Sequence, residues 1–219
     1  MPESSRSENI IDLYDDVSNP LDGIEEIMLN NDWAFDRRDN DQMSVTVTGK
    51  SGVYQMAFVW QEEFSAMQFC CAPDITIHPS KMDEAAKVLN QINSTLWLGH
   101  FDVRSESLSG NDNIDHKTAY VPCFRHTSLF RGMPSETPVD HIEDLIDIAL
   151  AECERYAMTF ELLSKVNNQD IPISTAHINL AMMDVAGQPK PSQKERLNTM
   201  TQTKRFTPQS SDVGKWAPR

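Results

Sequence analysis

Four cysteines, six histidines and a Gly-Lys-Ser-Gly run are the residues of this chain whose chemistry could go beyond packing. The cysteines are Cys70, Cys71, Cys123 and Cys153. Cys70 and Cys71 fall in an apolar stretch that reads as a strand, so their side chains should point to opposite faces. One is expected in the core and the other at the surface or an interface. No Cys-x-x-Cys spacing occurs, and a packing role is expected over redox or metal chemistry, because buried cysteine behaves as a small hydrophobe. The histidines are His78, His100, His116, His126, His141 and His177. None has the His-Glu-x-x-His spacing or a local Cys/His ligand set. His100, His116 and His126 lie in or near adjacent predicted strands and could converge, but ordinary surface or edge positions are the expectation, since a metal centre needs a specific ligand geometry.

Gly49, Lys50 and Ser51 resemble the end of a phosphate-binding loop. Position 44 is Ser where that motif needs Gly, and a strand follows where it needs a helix. Gly49 to Gly52 therefore reads as a hairpin turn. Paired carboxylates such as Glu62 and Glu63 carry no catalytic message in so acidic a chain, and a solvated face is their default. No nucleophile elbow or dinucleotide fingerprint is present. No catalytic residue, cofactor or metal is expected.

The elements that would position these residues follow from periodicity. Asn19-Pro20 opens a helix, with Asn as N-cap and Pro at the first helical position, and Leu21, Ile24, Ile27 and Met28 form its stripe. A strand starts near Trp33. Met43, Val45 and Val47 alternate with Ser44, Thr46 and Thr48 as a half-buried strand. Residues 53–60 are apolar on both faces and should be central. Met67 to Cys71 return as a fourth strand. His78-Pro79-Ser80 begins a second helix, with Ser80 and Asp83 as a capping box and Gly99 as the stop. Phe101–Arg104 and Lys117–Phe124 give two more strands, joined by a polar loop. Thr137-Pro138 caps a long helix to about Lys165, apolar along Ile142, Leu145, Ile146, Ala149, Cys153, Tyr156 and Phe160. Asp140, Glu143, Asp144, Asp147 and Glu154 fall on its opposite face.

The expected fold is α+β, an antiparallel sheet of about six strands in the order α-β-β-β-β-α-β-β-α, with helices packed on the sheet. Residues 1–18 read as a flexible N-terminus, 19–166 as the domain, 167–188 as a short helical extension and 189–219 as a disordered basic tail. The tail is rich in Pro, Ser, Thr, Gln and Lys, too polar to offset its ordering entropy.

The chain has 219 residues, a mean hydropathy of −0.47 and a formal charge of −14. Such a surface repels nucleic acid and anionic lipid, so neither is an expected partner. No apolar run reaches the ~18 residues of a membrane-spanning helix, and membrane insertion is not expected. The opening Met-Pro-Glu-Ser-Ser-Arg lacks a basic and apolar leader. A cytoplasmic protein with reduced thiols is the expectation.

Four features together resemble one family. They are Asn-Pro-Leu-Asp-Gly-Ile-Glu-Glu from Asn19 to Glu26, the strand from Val53 to Trp60, Val-Leu-Asn-Gln-Ile-Asn from Val88 to Asn93 followed by Gly99, His100 and Phe101, and the closing amphipathic helix. They are similar to the YbjN family of bacterial proteins over about residues 19–166. The resemblance implies a fold like that of type III secretion chaperones and a role in regulating sensory transduction. It supplies no catalytic residues.

The expected function is a non-catalytic protein-interaction module, a regulator or chaperone-like adaptor. The alternative is a small-ligand binder or enzyme with a pocket between sheet and helices near Trp60, His100 and Cys123. Ile148 and Leu162 fall outside the apolar stripe of the last helix. They are the expected contact of a homodimer.

Overall fold

The computed structural model describes residues 19–108, 117–131 and 138–165, and beyond them Ile178, Ala181 and Met182. The predicted region 1–18, the tail 189–219 and most of the extension 167–188 lie outside the described residues.

Helix α1 spans Pro20–Asn30. Asn19 caps it: the side-chain oxygen accepts from the Leu21 N–H at 2.9 Å, and the amide donates to the Asn40 carbonyl at 2.6 Å. The strands β1 (Ala34–Arg37), β2 (Gln42–Thr48), β3 (Val53–Gln61) and β4 (Ala66–Pro73) follow as a meander. A 3-10 turn at Pro79–Lys81 leads into α2 (Met82–Asn93). Then come β5 (His100–Leu108), β6 (Lys117–Leu129) and α3 (Pro138–Ser164). The element order is the one expected from sequence.

All six strands pair antiparallel, in the spatial order β1-β2-β3-β4-β6-β5. Strand β3 is internal, as its two apolar faces require. Its residues Tyr54, Met56, Phe58 and Trp60 are buried under the helices. Val45 of β2, Phe69 of β4, Phe124 of β6 and Phe101 of β5 continue the same face. All three helices contribute to this one core: Leu21 and Ile24 from α1, Val88 and Ile92 from α2, and Leu145, Cys153 and Phe160 from α3.

Three local expectations change. The capping box at Ser80 does not form: Lys81 occupies the N-cap of α2 without a side-chain cap, and the His78 ring accepts from the Ser80 N–H at 3.2 Å instead. A 3-10 turn intervenes because Pro79 sets the helical φ one turn too early for Ser80 to cap. Strands β5 and β6 run to Leu108 and Leu129, well beyond the stretches where sequence alternation is clear. Ile148 lies inside the core, only 7% exposed, and Leu162 packs partly against it. The stripe read from sequence was too narrow, because α3 is enclosed on more than its sheet side. α1 packs along it, and Ile178, Ala181 and Met182 are helical and at least partly buried beside it, with Thr159 Oγ1 3.7 Å from Met182 Sδ.

Two turns show how closely the backbone is fitted. The Gly49 N–H bonds the Gly52 carbonyl at 2.8 Å, closing the expected hairpin turn. A side chain at Gly49 would run into Glu154 and, at 2.6 Å, Tyr54. Gly99 has φ +67°, a conformation that favours glycine, and a Cβ there would collide with Phe124 and the Arg125 carbonyl.

Candidate functional site

The helices cover one face of the sheet; no described helix packs on the other. Alternation assigns that second face. It holds Ser44 and Thr46 of β2, Gln55, Ala57 and Val59 of β3, Gln68, Cys70 and Ala72 of β4, Val121, Cys123 and Arg125 of β6, and His100, Asp102 and Arg104 of β5. Most are half-buried, since small and β-branched side chains leave the sheet only partly shielded.

Cys70 and Cys123 are the chemically distinctive pair on this face. Cys70 lies opposite Arg125 across the β4–β6 ladder, and Cys123 sits two residues along β6 on the same side. With Ala72 and Val121 they form a small cluster separate from the main core. Cys123 is buried and Cys70 is partly exposed. The neighbouring Cys123 thiol, whose Sγ donates to the Phe124 carbonyl at 3.5 Å, lowers Cys70 to about 7. Burial opposes this, and the charges of Arg125 and Arg104 assist it. Cys123 moves strongly upward, through its interaction with Cys70 and through its own burial. Arg125 is held by Asp102 at 3.3 Å and Arg104 by Glu106 at 2.6 Å.

Cys71 faces the other way, as strand alternation requires. It is fully buried, with its Sγ 3.9 Å from that of Cys153 on α3. The four cysteines thus form two thiol pairs, one on each face of β4. The sequence separated Cys70 from Cys71, but their partners depend on sheet order and helix docking, which spacing does not encode.

A groove of about 690 Å³ opens beside the Cys70 cluster, lined among others by Pro73, Ile75, His78, Glu106 and Val121. Its origin is in two prolines. The β4–β6 ladder ends at Cys71 and Phe124. The next pairs in register would be Ala72 with Cys123 and then Pro73 with Pro122, and neither proline has an N–H to give. The strands part there, and the connecting segment rejoins the sheet only where the Ile77 N–H bonds the Tyr120 carbonyl at 2.7 Å.

The pocket expected near Trp60, His100 and Cys123 does not form. Trp60 is on the helix-covered face against Phe130, whereas His100 and Cys123 are on the opposite face. The two described histidines of the expected group, His100 and His126, lie on opposite faces too. His100 is exposed, and His126 lies on the covered face opposite Phe69. Burial lowers the pKa of His126, with His141 and His100 adding to the effect. His141 Nε2 lies 3.0 Å from Ser128 Oγ. His116 and His177 lie outside the described residues. Among the described residues no three His, Cys, Asp or Glu side chains are grouped to hold a metal ion, and no helix is long and apolar enough to cross a membrane.

A family model described as "YbjN: Putative bacterial sensory transduction regulator" matches residues 20–162. The chain belongs to the YbjN family. A solved structure described as "Crystal structure of YbjN, a putative transcription regulator from E. coli" is similar to it at 16% identity and a TM-score of 0.37. The match covers 63% of this chain and 93% of that one. No curated protein matches the chain. The YbjN-like phrase that ends α2 has a structural purpose here. The Asn93 amide accepts from the Phe101 N–H at 2.7 Å and donates to the Phe101 carbonyl at 3.0 Å, fastening the helix end to β5. Gly99 then allows the chain to pass beneath Phe124.

Proposed function

We propose that this YbjN-family chain is a non-catalytic cytoplasmic interaction module, a regulator or chaperone-like adaptor that grips a protein partner with the face of its sheet on which no described helix packs. The observation that carries this reading is the asymmetry of the sheet. One face is sealed by three helices. The other offers half-exposed Val53, Ala57, Val59 and Gln68 around a small apolar centre, with Arg104, Arg125 and Asp102 toward the β5 edge. A mixed apolar and polar patch with a charged margin is what a non-obligate interface looks like. A net charge of −14 favours a basic partner surface.

Capture from a bacterial lysate by wild type, by Val59→Arg and by a surface variant on α1 such as Glu26→Lys tests it. The partner should be lost with Val59→Arg and kept with the α1 change. Loss with neither variant would move the interface elsewhere.

The groove supports a second reading as a small-ligand site, since its volume falls within the ~300–1,000 Å³ usual for such sites. A saturating ligand would raise the melting temperature by mass action; a metabolite library giving no shift would remove this reading. A homodimer is a further proposed partner. With Ile148 in the core, its contact moves to Leu162 and Met158. These lie four residues apart on α3 and so on one side of it, and Met158 is 62% exposed. A monomer in sedimentation at tens of micromolar would rule it out.

A further inference from the structure

We propose that Cys70 is a peroxide-reactive thiol and that Cys123 resolves it, forming a disulfide across the β4–β6 ladder. The proposal does not depend on the partner suggested above.

The geometry meets three requirements. First, the sulfur must be reachable, and Cys70 is the one cysteine of the four that is not fully buried. Second, its thiolate must be favoured. Arg125 lies directly opposite on β6, and Arg104 stands on the same face of β5. The carboxylates nearby, Asp102 and Glu106, are already bonded to those two arginines. From β3 the opposing residue is the neutral Ala57. Third, a second thiol must be close, and Cys123 shares the same small cluster.

The chemistry balances as follows. The Cys70 thiolate attacks one oxygen of hydrogen peroxide. The O–O bond breaks, hydroxide leaves and takes a proton to become water, and Cys70 is left as a sulfenic acid. Cys123 then loses its proton and attacks the Cys70 sulfur. The S–O bond breaks, and the hydroxyl departs with that proton as a second water. Two thiols lose two electrons; the peroxide gains two. The second step is helped by the first. The raised pKa of Cys123 comes chiefly from its interaction with Cys70, which includes repulsion from the Cys70 charge. A neutral sulfenic acid removes that repulsion.

Closure has a structural consequence. Diagonal neighbours on paired strands have Cα atoms ~7–8 Å apart, whereas a disulfide usually spans about 4.4–6.8 Å. Most of that separation runs along the strands, so oxidation must shift β4 and β6 along each other on the open face, next to the Pro73–Pro122 parting.

The test uses the whole reduced chain, exposed to hydrogen peroxide and mapped by mass spectrometry without reduction. A Cys70–Cys123 linked peptide is expected, with Cys71 and Cys153 still thiols. Cys123→Ala should accumulate a dimedone-trapped sulfenic acid at Cys70. Alkylation of wild-type Cys70 by iodoacetamide should rise through about pH 7. At pH 7 it should exceed that of free cysteine about tenfold, as the larger thiolate fraction requires. If Cys123→Ala does not fold, the wild-type map and the alkylation profile decide alone. Peroxide leaving Cys70 and Cys123 as thiols, or oxidising Cys71 and Cys153 first, would overturn the proposal. So would alkylation of Cys70 no faster than that of free cysteine.

Discussion

Glu154 of α3 holds the β2–β3 turn through Ser51: one carboxylate oxygen accepts from the Ser51 N–H at 3.1 Å, and the other accepts from its hydroxyl at 2.5 Å. The first oxygen also accepts from the Lys50 N–H at 2.6 Å. The Gly-Lys-Ser-Gly run is an anion-binding turn after all, but the anion is a side chain of the same protein. Consecutive N–H groups in a turn make such a concavity.

Glu154→Ala should therefore lower stability by about 1–2 kcal/mol, the low end for charge-assisted bonds because the site is open to water. Glu154→Gln keeps an acceptor oxygen and should recover part of the loss. Urea unfolding reads both, and no loss in Glu154→Ala would mean that the bonds contribute nothing.

Gly99→Ala combines a left-handed backbone with a collision against Phe124 and the Arg125 carbonyl. It should cost about 2–4 kcal/mol, the sum of strain and overpacking. Gly52 is the comparison. Its φ is +147° and nothing lies within 4 Å of the would-be Cβ, so Gly52→Ala should cost about 1 kcal/mol. Thermal melts of the two variants should separate clearly.

Ile148→Asp should unfold or strongly destabilise the chain, because it places a charge at a position 7% exposed. Met158→Asp, at 62% exposed, should leave the melting temperature nearly unchanged and weaken only self-association. Circular dichroism melts alongside sedimentation separate the effects. A soluble, folded Ile148→Asp would show that α3 is less enclosed than described.

His126 gives a pH dependence of known sign. Its folded pKa is lowered, so the unfolded chain takes up the proton first. The stability it contributes is complete above the ordinary histidine pKa, about 6.5. It is lost as pH falls from there through the folded value. His126→Gln should flatten the stability profile below about pH 6.5. An unchanged slope would assign the acid sensitivity to other groups.

Periodicity made most of this fold readable. The alternation in β2 and β3, the Asn19-Pro20 start and the Gly49–Gly52 turn all depend on neighbours in sequence, and each lies where it was expected. What escaped depends on neighbours in space. Ile148 looked peripheral because a helical stripe reveals one packing partner, while α3 has several. Glu154 looked like part of a solvated face because the turn it holds is a hundred residues away. The Cys70 and Cys153 partnerships need the sheet order and the docking of α3. The grouping of Trp60 with His100 and Cys123 failed on parity, since alternation sends Trp60 to one face and the other two to the opposite one.

The strand order also sets the sequence of events during synthesis. Strands β1 to β4 can zip together as local hairpins as soon as they emerge. The free edge of β4 must then wait while α2 and β5 are made, because its other neighbour is β6. Closing that gap carries the entropy of a long loop, and non-local pairing of this kind is slow. Until β6 arrives, Phe69 and Cys71 sit on a strand with one edge unpaired and without α3 above them. An interrupted or truncated nascent chain ending before Lys117 would expose that edge to other chains, the usual route to aggregation of β-rich intermediates.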